Sequence, residues 1–292
     1  MRMPILDRVI TLFKAAGRLR LLSAPRHGAV PLLGIYLIGV VLSVPALAQS
    51  PSSLPPQAKS IQEVIMPVPK EIFTSLDQFH DVNWRAVQRP EIARWKSHGD
   101  QAQIATLLGV VIGEGFVAME AKDSAEMKRL GASVLKLSRA LGVQETVLRR
   151  SKSIIEFADH GDWTGARHEW NQVLSDLEAG MVQLKSTRLA QLVSIGGWLR
   201  GSEALSTLLL QRYSAGQAEL LRQPVLLENL ENQLDSMEGR WRRNKMVIEM
   251  LAGMKKIRAT LPADDQPISE AAVKQIHDVC ARLIQLSSQR PA

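Results

Sequence analysis

Residues 104–119 read IATLLGVVIGEGFVAM, an apolar run broken by a single charge at Glu114. A stretch this long, without the period-two alternation of a strand, predicts a helix buried on nearly every side. Glu114 falls seven residues after Leu107 and one turn after Val110 and Val111, so it stands over the core face. A second run, residues 189–210 (LAQLVSIGGWLRGSEALSTLLL), repeats the theme. There Arg200 follows Gly196-Gly197 by one turn, and Glu203 follows Arg200 by another. Both runs carry small residues four apart, Gly109 with Gly113 and Gly197 with Gly201, which lets two helix backbones cross closely. An unpaired charge in such a place costs several kcal/mol. The two helices are therefore expected to touch, with Glu114 paired to Arg200. A buried pair of this kind fixes register; the alternative is a ligand-binding polar pocket at Glu114, Arg200 and Glu203.

Proline placement extends this reading to the rest of the chain. Five of the 14 prolines fall within Pro51–Pro69, yet from Glu91 to Leu261 there is only Pro224. A proline-poor stretch rich in Leu, Ala, Glu, Gln and Arg is helical. The fold class is all-α, a multi-helix bundle or stacked antiparallel helical hairpins with essentially no β-sheet. Capping signals predict helices over 69–79, 90–97, 101–121, 124–141, 144–160, 163–184, 186–212, 215–222, 224–238, 241–260 and 270–287. Asp100, Asp123, Asp162 and Ser269 are the expected N-caps, and Gly142 and Gly161 the expected stops. Short links imply antiparallel sequence neighbours.

The stretch Gly161-Asp162-Trp163-x-x-Ala166-x-x-x-Trp170-x-x-Val173-Leu174 resembles part of a tetratricopeptide repeat. The likeness covers about 14 residues and implies a closely packed helical hairpin, with a repeat protein as an alternative reading of the chain. The other helix of such a repeat lacks its Trp, Leu, Gly and Tyr pattern. His-Gly-Asp recurs at 98–100 and 160–162, a spacing that does not match two repeats.

The chain carries a net charge of +7, but residues 1–48 hold six basic residues and one acid. The remaining 244 residues are thus only +2. A basic flank ending at Arg26-His27, the uncharged run Ala29–Val44, then Pro45 and Ala46-Leu47-Ala48 have the layout of an export signal cleaved before Gln49. An uncleaved membrane anchor over 29–48 is the alternative. Residues 49–68 read as a Pro/Ser-rich linker and 69–292 as one helical domain. The expected address is outside the cytoplasm, periplasmic or anchored to the inner membrane. The single Cys280 can form no disulfide within the chain.

Catalytic signatures are missing. Neither Glu-x-x-His pairs, His-Glu-x-x-His, a Walker loop, a dinucleotide fingerprint nor Gly-x-Ser-x-Gly is present. Glu156 and His160, with His168-Glu169, flank Gly161 but read as a helix end and a solvated face. His277 and Cys280 share one helix face without an oxyanion hole, so Cys280 reads as a small core residue. No catalytic residue, metal site or cofactor is expected.

Residues 240–258 (RWRRNKMVIEMLAGMKKIR) hold seven basic residues and one acid. Trp241, Val247, Ile248, Leu251, Met254 and Ile257 are predicted to share one helix face. Trp241, Arg242, Arg243, Lys255 and Lys256 are the candidate interaction residues, for an envelope protein or an anionic membrane surface. Nucleic acid is disfavoured by export and by a nearly neutral mature chain. The functional expectation is an exported, non-enzymatic envelope scaffold or protein-binding module; the alternatives are a small-ligand or metal-binding bundle and a tetratricopeptide-like repeat protein.

Overall fold

The computed structural model describes Leu76, Phe79 and residues 82–96 and 100–289. The expected export segment, the linker and nearly all of the helix expected over 69–79 lie outside these residues. Among the described residues there are helices and turns but no strand. Eight helices of three turns or more follow in order: α1 Gln101–Glu120, α2 Ser124–Ala140, α3 Gln144–Asp159, α4 Trp163–Gln183, α5 Thr187–Gln211, α6 Pro224–Asp235, α7 Lys245–Thr260 and α8 Glu270–Leu286. The chain is all-α.

Local chemistry sets most of these boundaries. Asp100 accepts from the Ala102 and Gln103 N–H groups, Asp123 from Glu126, Asp162 from Gly165 and Ser269 from Ala272. Each satisfies donors that the first turn of a helix leaves open. Pro224 opens α6, where its missing N–H costs nothing. The links after α1, α2, α3 and α4 are built alike. In each, the middle residue takes a positive φ: Lys122, Gly142, Gly161 and Lys185. The next N–H then reaches back to a carbonyl five residues earlier, as Asp123 does to Ala118 and Asp162 to Phe157. Two of the four positions are lysines, so the repeated turn is only half visible as glycine.

α1 and α5 form the centre and share the most extensive interface. Gly196 meets Thr106 and Val110, while Glu114 meets Arg200, so partners advance together and the two helices run parallel. The close approach is backbone on backbone. A Cβ on Gly109 would stand 1.9 Å from the Val193 carbonyl oxygen, and one on Gly196 2.1 Å from that of Thr106. The Gly197 amide and carbonyl line the same seam, against Gly109 and Gly113. Around this pair, α2 lies on α1, α3 on α2 and α4, and α4 on α5; on the other flank α8 lies on α5 and α7 on α6 and α8. α1 is long and apolar enough to cross a membrane, but its apolar stretch is 94% buried by the other helices.

Three expected helices differ. Instead of a helix over 90–97, only Ile92–Arg94 makes a 3-10 turn, and Trp95 is already extended. The Ala93 carbonyl accepts from the Ser133 hydroxyl of α2, and the neighbouring Arg89 N–H is spent on Glu114. The segment lies as a strap across α1 and α2, its backbone committed to them. The helix expected from 241 begins at Lys245, because Asn244 caps it by accepting from Met246 and Val247. The segment 215–222 is a short helix, Ala215–Ala218, tightening into a 3-10 turn at Glu219–Leu221.

Candidate functional site

Glu114 and Arg200 face each other across the central seam because Gly113 allows α5 to come close. A Cβ there would lie 2.9 Å from that of Arg200. The Arg200 Nε donates to Glu114 Oε2 at 2.7 Å, and both side chains are fully buried. The expected pair is present. One turn on, Glu203 Oε2 accepts from Arg200 Nη1 at 2.7 Å, so all three candidate residues meet in one cluster.

The third edge of the guanidinium is closed by the strap. Arg200 Nη2 donates to the Val87 carbonyl at 2.7 Å, and the Arg89 N–H donates to Glu114 Oε1 at 2.7 Å. The Arg89 guanidinium reaches Glu203 Oε1 at 3.3 Å, and His277 Nε2 of α8 stands 3.7 Å from the same oxygen. At the rim Arg89 also donates to Glu91 and lies over the Trp95 ring. Two buried carboxylates thus meet two guanidiniums, and every carboxylate oxygen of Glu114 and Glu203 has a donor or cation beside it.

Burial pushes the Glu114 carboxyl upward, against the pull of Arg200 and the Arg89 N–H. Burial acts to lower Arg200, yet Glu114 and Glu203 hold it above its ordinary value and permanently charged. In such a cluster the buried charges are committed to one another and to the strap. Its base is a cation locked on three sides, and its acids have no free oxygen. Cavities open elsewhere: between α3 and α4 beside Arg149 and Arg150, near Tyr213 at the end of α5, between α7 and α8 beside Lys256, and beside Trp241 at the start of α1. None is lined by Glu114, Arg200 or Glu203.

The remaining candidates divide clearly. Cys280 is buried, and burial together with Glu203 pushes its thiol well above the usual range, so no thiolate is available. His277 turns to Glu203 and Asp278. His160 donates through Nδ1 to the Glu156 carbonyl of its own helix, and Glu169 is taken by Arg150. Among the described residues no three His, Cys, Asp or Glu side chains gather as a metal site. Arg242, Arg243, Lys255 and Lys256 are exposed, whereas Trp241 is half-buried against the core with Arg240 over its ring. The buried stripe of α7 is Met246, Val247, Met250, Met254 and Ile257; Ile248, expected on that face, is 51% exposed.

Sequence reasoning missed the strap. Val87 acts through a backbone carbonyl, which no side-chain pattern reports. Arg89 sits before Pro90 in a segment that reads as the approach to a helix. The spacing of His277 points to Cys280 on its own helix, whereas its ring stands beside Glu203 of α5. A further residue gains a role: Trp170 of α4 fills the space over Gly115 and donates through Nε1 to the Ile112 carbonyl at 3.0 Å. Comparison of the chain with family models, with curated proteins and with solved structures returns no match.

Proposed function

We propose that this protein is a non-enzymatic helical scaffold of the cell envelope, exported or anchored by its N-terminal segment, that acts through its surface. The observation that supports this reading is the closed state of its buried charges. The Glu114, Arg200 and Glu203 cluster has spent its hydrogen-bonding capacity on itself and on the strap. Residues 87–89 cover it through the Val87 carbonyl and the Arg89 N–H. Buried charges that are paired and sealed hold helices in register. The chemistry left open to a partner is on the outside, where the loop before α7 and its outer face carry unpaired cations.

Native mass spectrometry of the protein purified from its own cells, with cross-linking in intact cells, tests the proposal. A scaffold has the bare mass of the chain and joins to other envelope components. A co-purifying small molecule that disappears in Arg200→Met, at retained fold, would replace the scaffold with a ligand-binding protein.

A further inference from the structure

α7 is two-faced. Met246, Val247, Met250, Gly253, Met254 and Ile257 are buried, so the opposite face looks outward and presents Lys245, Ile248, Ala252, Lys255, Lys256 and Ala259. The preceding loop adds Arg242 and Arg243, both exposed. This loop is held in place. Arg240 donates to Gln101 at the start of α1 and covers Trp241, while Asn244 donates to Asp100. The cations are therefore carried on fixed backbone.

Acid is scarce on this surface. Glu249 is the one acid within residues 242–256 and is taken by Arg282 of α8; Glu238 and Asp264 are the next acids on either side. Arg258 is held by Glu231, and Lys274 by Asp278, so neither adds to the free charge. Arg242, Arg243, Lys245, Lys255 and Lys256 have no ion-pair partner among the described residues. Between them stands Ile248, an apolar side chain half in water.

We infer that the outer face of α7, with Arg242 and Arg243, docks the protein on an anionic lipid surface. The inference rests on the scaffold reading and names what that scaffold meets. Charge complementarity supports it: three unpaired lysines on the outer face of α7, with two exposed arginines in the loop that leads into it, match a field of phosphate headgroups. Shape supports it too. From Lys245 to Lys256 the helix runs about 16 Å at 1.5 Å per residue, with an outward face that suits a plane. Arginine forks can hold phosphate oxygens in pairs, and lysine ammonium groups add mobile point charge beside them. Ile248, at the middle, is placed to enter the headgroup boundary as the lysines settle on it.

The test places a reporter at the face itself. The Ile248→Cys variant of the full chain is labelled with an environment-sensitive fluorophore; Cys280 is buried and stays unlabelled. Vesicles of phosphatidylcholine with about one-third phosphatidylglycerol should shift the emission to the blue, and pure phosphatidylcholine should not. The local probe separates docking from any insertion by residues 29–44, which would bind both compositions alike. In the otherwise native chain, Arg242→Gln/Lys255→Gln/Lys256→Gln should weaken binding to the anionic vesicles by about 100-fold, from roughly fivefold per cation. The Arg149→Gln control on α3 should leave it unchanged. No shift with anionic vesicles, an equal shift with neutral ones, or unaltered affinity in the triple variant would overturn lipid docking. So would a face that ignores vesicles and captures soluble polyglutamate, which would make the partner an acidic protein. Failure of any of these kinds leaves the scaffold proposal standing, since its own test reads bound small molecules and envelope cross-links.

Discussion

The central seam and the outer face of α7 handle charge in opposite ways. At the seam, Glu114 and Arg200 are fully buried and each bond has a fixed partner. On α7, Lys245, Lys255 and Lys256 are exposed, and Ile248 among them is half in water. A charge at the first place costs a great deal to leave unpaired; at the second, water solvates it at almost no cost. Charge at the seam is fixed by its partners, and charge on the outer face of α7 is left to water.

The sharpest way to break that contrast is to remove one cation from each side. Arg200→Met strands Glu114 and Glu203 in the core and should cost about 3–5 kcal/mol in urea unfolding. Lys256→Met should stay within about 0.5 kcal/mol of the parent. Equal effects would erase the distinction. Backbone contact at the seam is the next test. Gly196→Ala sets a methyl 2.1 Å from the Thr106 carbonyl oxygen, a neighbour that cannot rotate away. A loss of about 2–3 kcal/mol is expected from the forced separation of α1 and α5.

A third test uses a half-buried acid without a cation. Glu178 of α4 accepts from the Ser194 hydroxyl of α5, and burial raises its pKa from an ordinary 4.5 to about 6. Its folded-state pKa therefore lies above its unfolded one, and the native state binds the extra proton between them. This contribution is fully present below about pH 4.5 and is lost as pH rises to about 6, an amount of about 1–2 kcal/mol. Glu178→Gln should remove that portion of the slope and be the more stable chain at pH 7. An unchanged difference between the two proteins across this window would show that the carboxyl is solvated. The smallest expected effect has the opposite sign. A Cβ on Gly131 of α2 meets nothing within 4 Å, so Gly131→Ala should stabilise by about 0.5–1 kcal/mol, against the loss at Gly196.

The same contrast explains what could be read from the sequence. Glu114 and Arg200 were legible because a charge inside an apolar run has few acceptable fates, and glycines four apart mark where helices close up. The caps at Asp100, Asp123, Asp162 and Ser269 were legible because capping is a local event between neighbours in the chain. The strap was not, because Val87 and Arg89 act through backbone atoms on residues 25 and 113 positions away. Nor were the positive-φ turns at Lys122 and Lys185, where tertiary packing imposes a conformation that lysine does not signal. On α7 the apolar pattern misassigned Ile248, which lies across the helix from the buried Met250, and Trp241, which falls outside the helix altogether. Asn244 moved the start of the helix by four residues.

A double-mutant cycle on Glu114 and Arg200 tests the closed cluster most directly. Stability is measured for the parent, Glu114→Gln, Arg200→Met and the double variant by urea unfolding at neutral pH. A paired, sealed cluster predicts strong coupling: the double variant loses little more than Arg200→Met alone, with an interaction energy of about 2–3 kcal/mol. Additive losses, or single variants as stable as the parent, would mean that the two charges do not face each other and that the seam is held by something else.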